Sequence, residues 1–403
     1  MKVLIVHNFY RNHGGEETAV FNKKKLLESD GITVEIFSRK NSDIGGVFDK
    51  ILIFFSSIFS FKVRNSLRKK IKTFKPDIIE VHNIFPLISP SIFFETRKLK
   101  IPTFYYLHNY RFICGSSFFE MNNQCCDKCG GNFFKAIFNK CYRNSLIGSL
   151  SLSLNNLIHK SILKTWKNKI DYFFIMNENN IKYYSNYGID DNKIIYLPHF
   201  TFMNNQLKNK KNNYALFVGE FSIKKGFITL MKAFKNIDFN LKIIGKIKVS
   251  QNLPVLEHLA KLDLNINKIG FINENKTIEN IGFVKNEDIA DYYADAAFTI
   301  FPSEWEEPFG YVLIESFANK TTVIASDQPS IKQIVKNKFN GILFRSGDHQ
   351  DLREKIKWMI KNKNEVEKMS LNSKKYFDYN FSPKNNLNLI KKIYSKAIQE
   401  KLQ

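Results

Sequence analysis

Short apolar runs that alternate with segments of helical spacing recur along this sequence, and they admit few folds. Val3 to Val6 is a continuous apolar run suited to a strand buried on both faces. The loop His13-Gly14-Gly15-Glu16-Glu17 follows, and Ala19, Val20, Phe21, Leu26 and Leu27 then fit a helix that Gly31 stops. Thr33 to Phe37 is the next strand. The alternation continues with strands at Asp77 to Val81, Ile101 to Leu107, Tyr172 to Met176 and Ile194 to Leu197, and a helix over Ser89 to Lys98. Strands separated by helices close through right-handed crossovers into a doubly wound parallel sheet.

Residues 201–213 are rich in Asn and Lys and bury almost nothing, which reads as a linker. A second series then begins, with strands at Tyr214 to Val218, Leu241 to Ile244, Asn280 to Val284, Ala297 to Phe301 and Thr322 to Ala325. Helices are expected at Gly226 to Phe234, Glu287 to Ala296, Phe309 to Asn319 and Ser330 to Lys336. The 403 residues therefore divide into an N-terminal domain (1–200), the linker, a C-terminal domain (214–382) and a last helix (383–403) with an apolar stripe of Leu387, Ile390, Tyr394, Ala397 and Ile398, able to pack back on the N-terminal domain. The expected class is α/β, two doubly wound Rossmann-like domains facing across a cleft, with ligands outside the C-terminal ends of the strands.

The net charge of +23 invites a nucleic-acid reading. Against it stand 52 Lys to only 9 Arg, and 44 Asn, a bias spread over the whole chain. Base readout favours the planar fork of Arg, which is the scarce residue, so no nucleic-acid partner is expected. Met1 to Val6 is too short for a secretory signal and no apolar stretch reaches membrane-spanning length, so a cytoplasmic location is expected. Residues 48–75 join an apolar stretch (Phe48, Ile51, Leu52, Phe55, Ile58, Phe59) to eight basic residues against one acidic. That segment either lies on an anionic membrane at the inner face of the plasma membrane or forms a core-packed helix followed by a solvated basic one.

The five cysteines fall within 28 residues, as a Cys-rich insertion over 114–141. Cys126-Asp127-Lys128-Cys129 has C-x-x-C spacing, and Cys114 and Cys141 complete a set of four thiolates suited to structural zinc, with Cys125 to spare. The alternative is a loop of unligated thiols.

The segment from Pro302 to Glu315 is the most informative. It leaves a strand, forms an acidic loop broken by Pro308 and enters a helix near Phe309 and Gly310, where free N–H groups and the positive dipole end can meet an anion. Glu307 precedes that helix, and Glu315 is expected roughly two turns inside it. E-P-F-G-x-x-x-x-E after a strand resembles the signature of the retaining glycosyltransferases of family 4, which have the GT-B fold. The resemblance implies a nucleotide diphosphate sugar as donor, transfer of a hexose-type sugar, and a glycan or lipid-linked glycan acceptor in bacterial surface polysaccharide synthesis. It makes Glu307 a catalytic residue at the donor sugar and Glu315 the ligand of the ribose.

Other residues fall where that family would have them. Val218-Gly219-Glu220-Phe221-Ser222-Ile223-Lys224-Lys225-Gly226 is similar to its phosphate loop, with Lys225 on the diphosphate and Gly219 allowing close approach; many relatives carry Arg where Glu220 stands here. Gly14 and Gly15 resemble its first glycine loop, and Glu17 the acidic residue that follows. His108, in Leu107-His108-Asn109-Tyr110-Arg111, ends a strand and by resemblance approaches the donor sugar. His82, Asn83 and Arg111 are placed toward the acceptor. No D-x-D motif stands on a suitable loop, so catalysis without a metal cofactor is expected. The alternatives are another GT-B enzyme, an epimerase or phosphorylase, or a zinc-containing nucleic-acid binder.

Overall fold

The computed structural model describes residues 1–11, 14–121, 124–126, 132–202, 212–246, 255, 257, 271–273, 276–285 and 288–402. Two compact units emerge. The first comprises residues 1–121, 126–199 and 383–403, and the second residues 122–125 and 200–382. Most of the expected linker, residues 203–211, lies outside the described residues.

The first unit runs β1 (Lys2–Phe9), α1 (Gly15–Ser29), β2 (Thr33–Lys40), α2 (Val47–Ile58), α3 (Phe61–Phe74), β3 (Ile78–Asn83), α4 (Ile92–Lys98), β4 (Thr103–Tyr106), α5 (Phe133–Phe138), α6 (Leu146–Leu157), β5 (Tyr172–Ile175) and β6 (Ile194–Tyr196). Its strands form a parallel sheet in the order β2-β1-β3-β4-β5-β6. Val3, Leu4, Ile5 and Val6 are fully buried, as a central parallel strand covered on both faces requires. The chain leaves β1 to one side for β2 and to the other for β3, so the crevice of this sheet lies beyond the C-terminal ends of β1 and β3.

The second unit runs β7 (Tyr214–Val218), α7 (Phe227–Phe234), β8 (Asn240–Ile244), β9 (Phe271–Asn273), β10 (Lys276–Gly282), α8 (Ile289–Asp295), β11 (Phe298–Phe301), α9 (Tyr311–Ala318), β12 (Val323–Ser326), α10 (Pro329–Ile334), β13 (Gly341–Phe344), α11 (His349–Lys361) and α12 (Lys363–Asn380). The sheet order is β9-β10-β8-β7-β11-β12-β13, parallel except for the β9–β10 pair. Here the order reverses between β7 and β11, which puts the crevice where the Lys225 and Glu307 loops emerge.

The last helix, α13 (Pro383–Leu402), belongs to the first unit. Ile390, Tyr394 and Ala397 are buried, and the Tyr394 hydroxyl donates to Glu80 inside the β3 strand. Lys391 pairs with Asp30 at 2.7 Å.

The 48–75 segment forms two helices, and the second, basic one is packed where it was expected to be solvated. In α3, Val63, Leu67, Ile71 and Phe74 are buried, and Arg64 and Arg68 clasp the buried carboxylate of Glu95. In α2, Phe48, Ile51, Leu52 and Phe55 are exposed. Among the described residues no helix is long and apolar enough to cross a membrane.

Candidate functional site

The loop after β7 is pressed against the loop after β11. Gly226, at φ +68°, caps α7, and a Cβ placed there would lie 1.8 Å from the carbonyl oxygen of Pro302. Only glycine permits both the left-handed backbone and that approach. The Glu304 N–H donates to the Lys224 carbonyl at 2.8 Å and ties the same two loops together. Lys225 is thereby held beside the acidic segment.

Three donors converge on one oxygen of Glu307. Lys225 Nζ stands 2.5 Å from Oε1, Trp305 Nε1 2.6 Å and Ser303 Oγ 2.8 Å. The Lys225 ammonium also lies 4.9 Å from the centre of the Trp305 ring, a cation–π contact that steers it over the indole. The Glu307 side chain is 6% exposed and that of Lys225 25%, so the pair is shielded on the carboxylate side and open on the ammonium side. Burying this carboxylate is tolerable only because its hydrogen bonds are charge-assisted and mutually oriented.

The helix after this loop starts later than the sequence implied. Gly310 adopts φ +115° as its N-cap, so α9 begins at Tyr311 and Phe309 stays outside it, buried. Glu315 is consequently little more than one turn inside the helix, not two, about 6 Å along the axis from Tyr311. It accepts a hydrogen bond from the hydroxyl of the buried Tyr293 at 2.9 Å, a partner on α8 that sequence reasoning missed. Burial pushes the Glu315 carboxyl up to about 7, and the Tyr293 hydrogen bond offsets only part of that rise. Gly219 ends β7 at φ +159° and its carbonyl meets Gly245, where a Cβ would stand 1.8 Å away.

In the first unit the C-terminal ends of β1, β3 and β4 bring aromatic and titratable side chains into one buried stack. The rings of Tyr106, His82 and His108 form a triangle with centres 4.7, 5.0 and 5.1 Å apart, and His199 lies near-parallel to His108 at 5.3 Å. His82 Nδ1 and His108 Nε2 are 2.7 Å apart. Burial, then the neighbouring His82, His199, His7 and Lys23, hold His108 well below the usual histidine range, so it is neutral near pH 7. Beneath it Glu80 is reached by Lys23 at 3.8 Å and His82 at 3.5 Å, as well as by Tyr394. Burial raises Glu80, yet Lys23, His82 and Tyr394 outweigh it and keep the carboxyl below its ordinary value.

The expectation that His82 and Asn83 are open to an acceptor needs correction, because both are buried. Asn83 accepts from Arg111 Nη1 at 2.8 Å and donates to the Asn8 carbonyl at 2.8 Å. Arg111 also reaches the Tyr10 hydroxyl at 3.2 Å, and Tyr10 donates to Glu16 at 3.0 Å. Glu17 is a capping residue: its carboxylate takes the Gly14 N–H and the Tyr10 N–H, each at 2.9 Å. The Gly14 amide is therefore already engaged, whereas Gly15 is the first residue of α1 and is exposed. Tyr10 and Glu16 went unnoticed in the sequence; burial lifts Glu16 to about 7.

Of the cysteines, Cys114 and Cys126 are free thiols. Cys129 lies outside the described residues. Among the described residues no cluster of three His, Cys, Asp or Glu side chains is placed to hold a metal ion.

Residues 199–376, which fall almost wholly in the second unit, match the family model "Glycosyl transferases group 1". An uncharacterized glycosyltransferase of Methanocaldococcus jannaschii is 32% identical over 182 residues, 45% of this chain and 48% of that protein. The capsular polysaccharide biosynthesis glycosyltransferase CapM of Staphylococcus aureus is 25% identical over 233 residues, 55% of this chain and 57% of CapM. The chain thus spans about half the length of these curated relatives. Over its full extent it is similar in fold to HepE of Anabaena in complex with UDP, with a TM-score of 0.66 at 14% identity, covering 98% of this chain and 100% of HepE. The two Rossmann-like α/β units are those of the GT-B fold.

Proposed function

We propose that this chain is a retaining, metal-independent glycosyltransferase that moves a hexose-type sugar from a nucleoside diphosphate sugar to a lipid-linked glycan, at the surface of an anionic membrane, in the assembly of a bacterial surface polysaccharide. The observation that carries this reading is the meeting of Lys225, Glu307 and the start of α9 at the point where the second sheet reverses its strand order. A nucleotide at such a point rests on the ends of β7 and β11. The difficult step is loss of the nucleoside diphosphate, whose bridging oxygen takes the electron pair of the breaking sugar bond. Lys225 and the N–H groups at the start of α9 offset that charge.

Glu307 has a different task. With three donors on Oε1 it is a weak nucleophile, and its remaining oxygen is suited to hold a sugar hydroxyl and to face the cationic character that develops at the anomeric carbon. His108, neutral and fixed through one ring nitrogen by His82, keeps its other nitrogen for a sugar hydroxyl. A relative named as a capsular polysaccharide biosynthesis glycosyltransferase and a neighbour solved with UDP support the donor and the pathway.

Glu315 gives the reading a pH signature. A ribose diol is best held by a carboxylate that accepts two hydroxyl hydrogens, and this carboxyl is ionised only above about 7. Nucleotide affinity rises as pH climbs from 6 to 8 and levels off beyond. Titrating UDP across that range by calorimetry checks it: Glu315→Gln flattens the profile, and a flat profile in the unsubstituted chain removes the ribose role.

A further inference from the structure

The first unit contains an apolar cavity of about 700 Å³ that none of the chemistry above uses. Its walls are α2 and α6, clasped by a contact between the Ser57 and Ser151 hydroxyls at 3.0 Å and by Asn155 Nδ2 on the Ser57 carbonyl at 2.6 Å. Ile51 and Phe55 line it from α2, and Ile147 and Leu150 from α6. A water-facing helix pair has no reason to keep a concave face this apolar, and the volume falls within the roughly 300–1,000 Å³ of small-molecule sites.

The cations at the cavity are not those the composition predicts. Lysine outnumbers arginine 52 to 9 in the chain, yet both charged residues of the lining are arginines, Arg11 and Arg143, and no carboxylate is among them. Arg11 is fixed by the carbonyls of Asn41 and Ile44, at 3.1 and 3.2 Å, through Nε and Nη2. Arg143 stacks 5.4 Å from the Tyr142 ring and, among the described residues, makes no hydrogen bond or ion pair. Two guanidinium groups beside an apolar slot are complementary to an anion carried on a hydrocarbon chain, and a planar fork suits phosphate.

Phe85, part of the cavity lining, lies 5.5 Å from the Tyr142 ring and 5.4 Å beneath the guanidinium of Arg111, which holds Asn83. We infer that the α2–α6 cavity, with Arg11 and Arg143, binds the lipid phosphate of the acceptor: one isoprenoid or alkyl chain in the slot and its phosphate on the two arginines. The inference rests on the lipid-linked acceptor proposed above and assigns it a place.

Farnesyl phosphate is the probe, titrated below its micellar concentration into the full chain by calorimetry, with farnesol and inorganic phosphate as separate arms. Ile147 is 68% exposed and Arg143 is exposed, so Ile147→Asp and Arg143→Ser leave the melting curve unchanged. Ile147→Asp weakens farnesyl phosphate binding at least tenfold, and Arg143→Ser removes the preference for farnesyl phosphate over farnesol. Equal binding by wild type and both variants, or no binding at all, overturns the site. Attachment of the unsubstituted chain to phosphatidylglycerol vesicles that Ile147→Asp weakens, with no binding of farnesyl phosphate, makes the face a membrane surface and overturns it too. Binding as described with no sugar transfer from any nucleotide sugar leaves the cavity standing and refutes the transferase; transfer without such binding does the reverse.

Discussion

Glu307→Ala lowers the rate of sugar transfer by about 100- to 1,000-fold without weakening nucleotide binding. The magnitude is that of removing one fixed electrostatic contributor from a shielded site. The split between rate and affinity follows from the geometry. In the folded chain the Lys225 ammonium is 2.5 Å from the Glu307 carboxylate, and alanine releases it. A released ammonium binds diphosphate at least as well as before, whereas the sugar has lost its partner at the reacting carbon. Glu307→Gln keeps an acceptor for Ser303 and Trp305 but removes the charge that Lys225 meets, so its activity falls between the two. Turnover of the nucleotide sugar and its dissociation constant, measured on the same preparations, check both halves. Full turnover in the alanine variant would remove Glu307 from the chemistry.

Gly226→Ala damages both fold and site. An alanine there must accept a left-handed backbone and a Cβ 1.8 Å from the Pro302 carbonyl oxygen, so the two loops have to part. Left-handed strain alone costs about 1 kcal/mol, and a forced backbone shift adds roughly 2 kcal/mol or more. For a unit of this size that corresponds to a fall in Tm of about 6–12 °C. Gly188 is the internal control: it caps a helix at φ +100°, and a methyl group there would meet nothing within 4 Å, so alanine carries the strain without the clash. Gly188→Ala lowers Tm by a few degrees at most and leaves nucleotide binding intact, while Gly226→Ala loses both. Calorimetric melts of the two variants, with UDP titrations, separate these outcomes; equal melts would mean that the loop contact carries no weight.

Most strands of the two sheets, though not β9 or β13, were legible because buried parallel strands are continuous apolar runs, as at Val3 to Val6 and Tyr214 to Val218. The helices α11 and α12 and the strand β13 were not. In α11 the buried residues Leu352, Ile356 and Met359 do follow helical spacing, but they are diluted by charged neighbours. The E-P-F-G segment announced Glu307 and Glu315, since its punctuation by Pro308 and Gly310 is local. The pairing of Lys225 with Glu307, 82 positions apart, depends on strand order, which no local pattern encodes. The same holds for Tyr293 on Glu315 and for the stack of His82, Tyr106, His108 and His199, which separate chain segments supply. Gly310 misled the reading of the helix start because glycine at an N-cap and glycine inside a helix look alike in sequence.

Calorimetric titration of UDP-, GDP- and ADP-sugars into the intact chain and into Lys225→Ala decides whether the second unit holds a nucleotide diphosphate sugar at its strand reversal. One base should bind, with the variant at least tenfold weaker because the ammonium that meets the diphosphate is gone. Failure of every nucleotide sugar to bind, or equal affinity in the Lys225→Ala variant, would contradict the account.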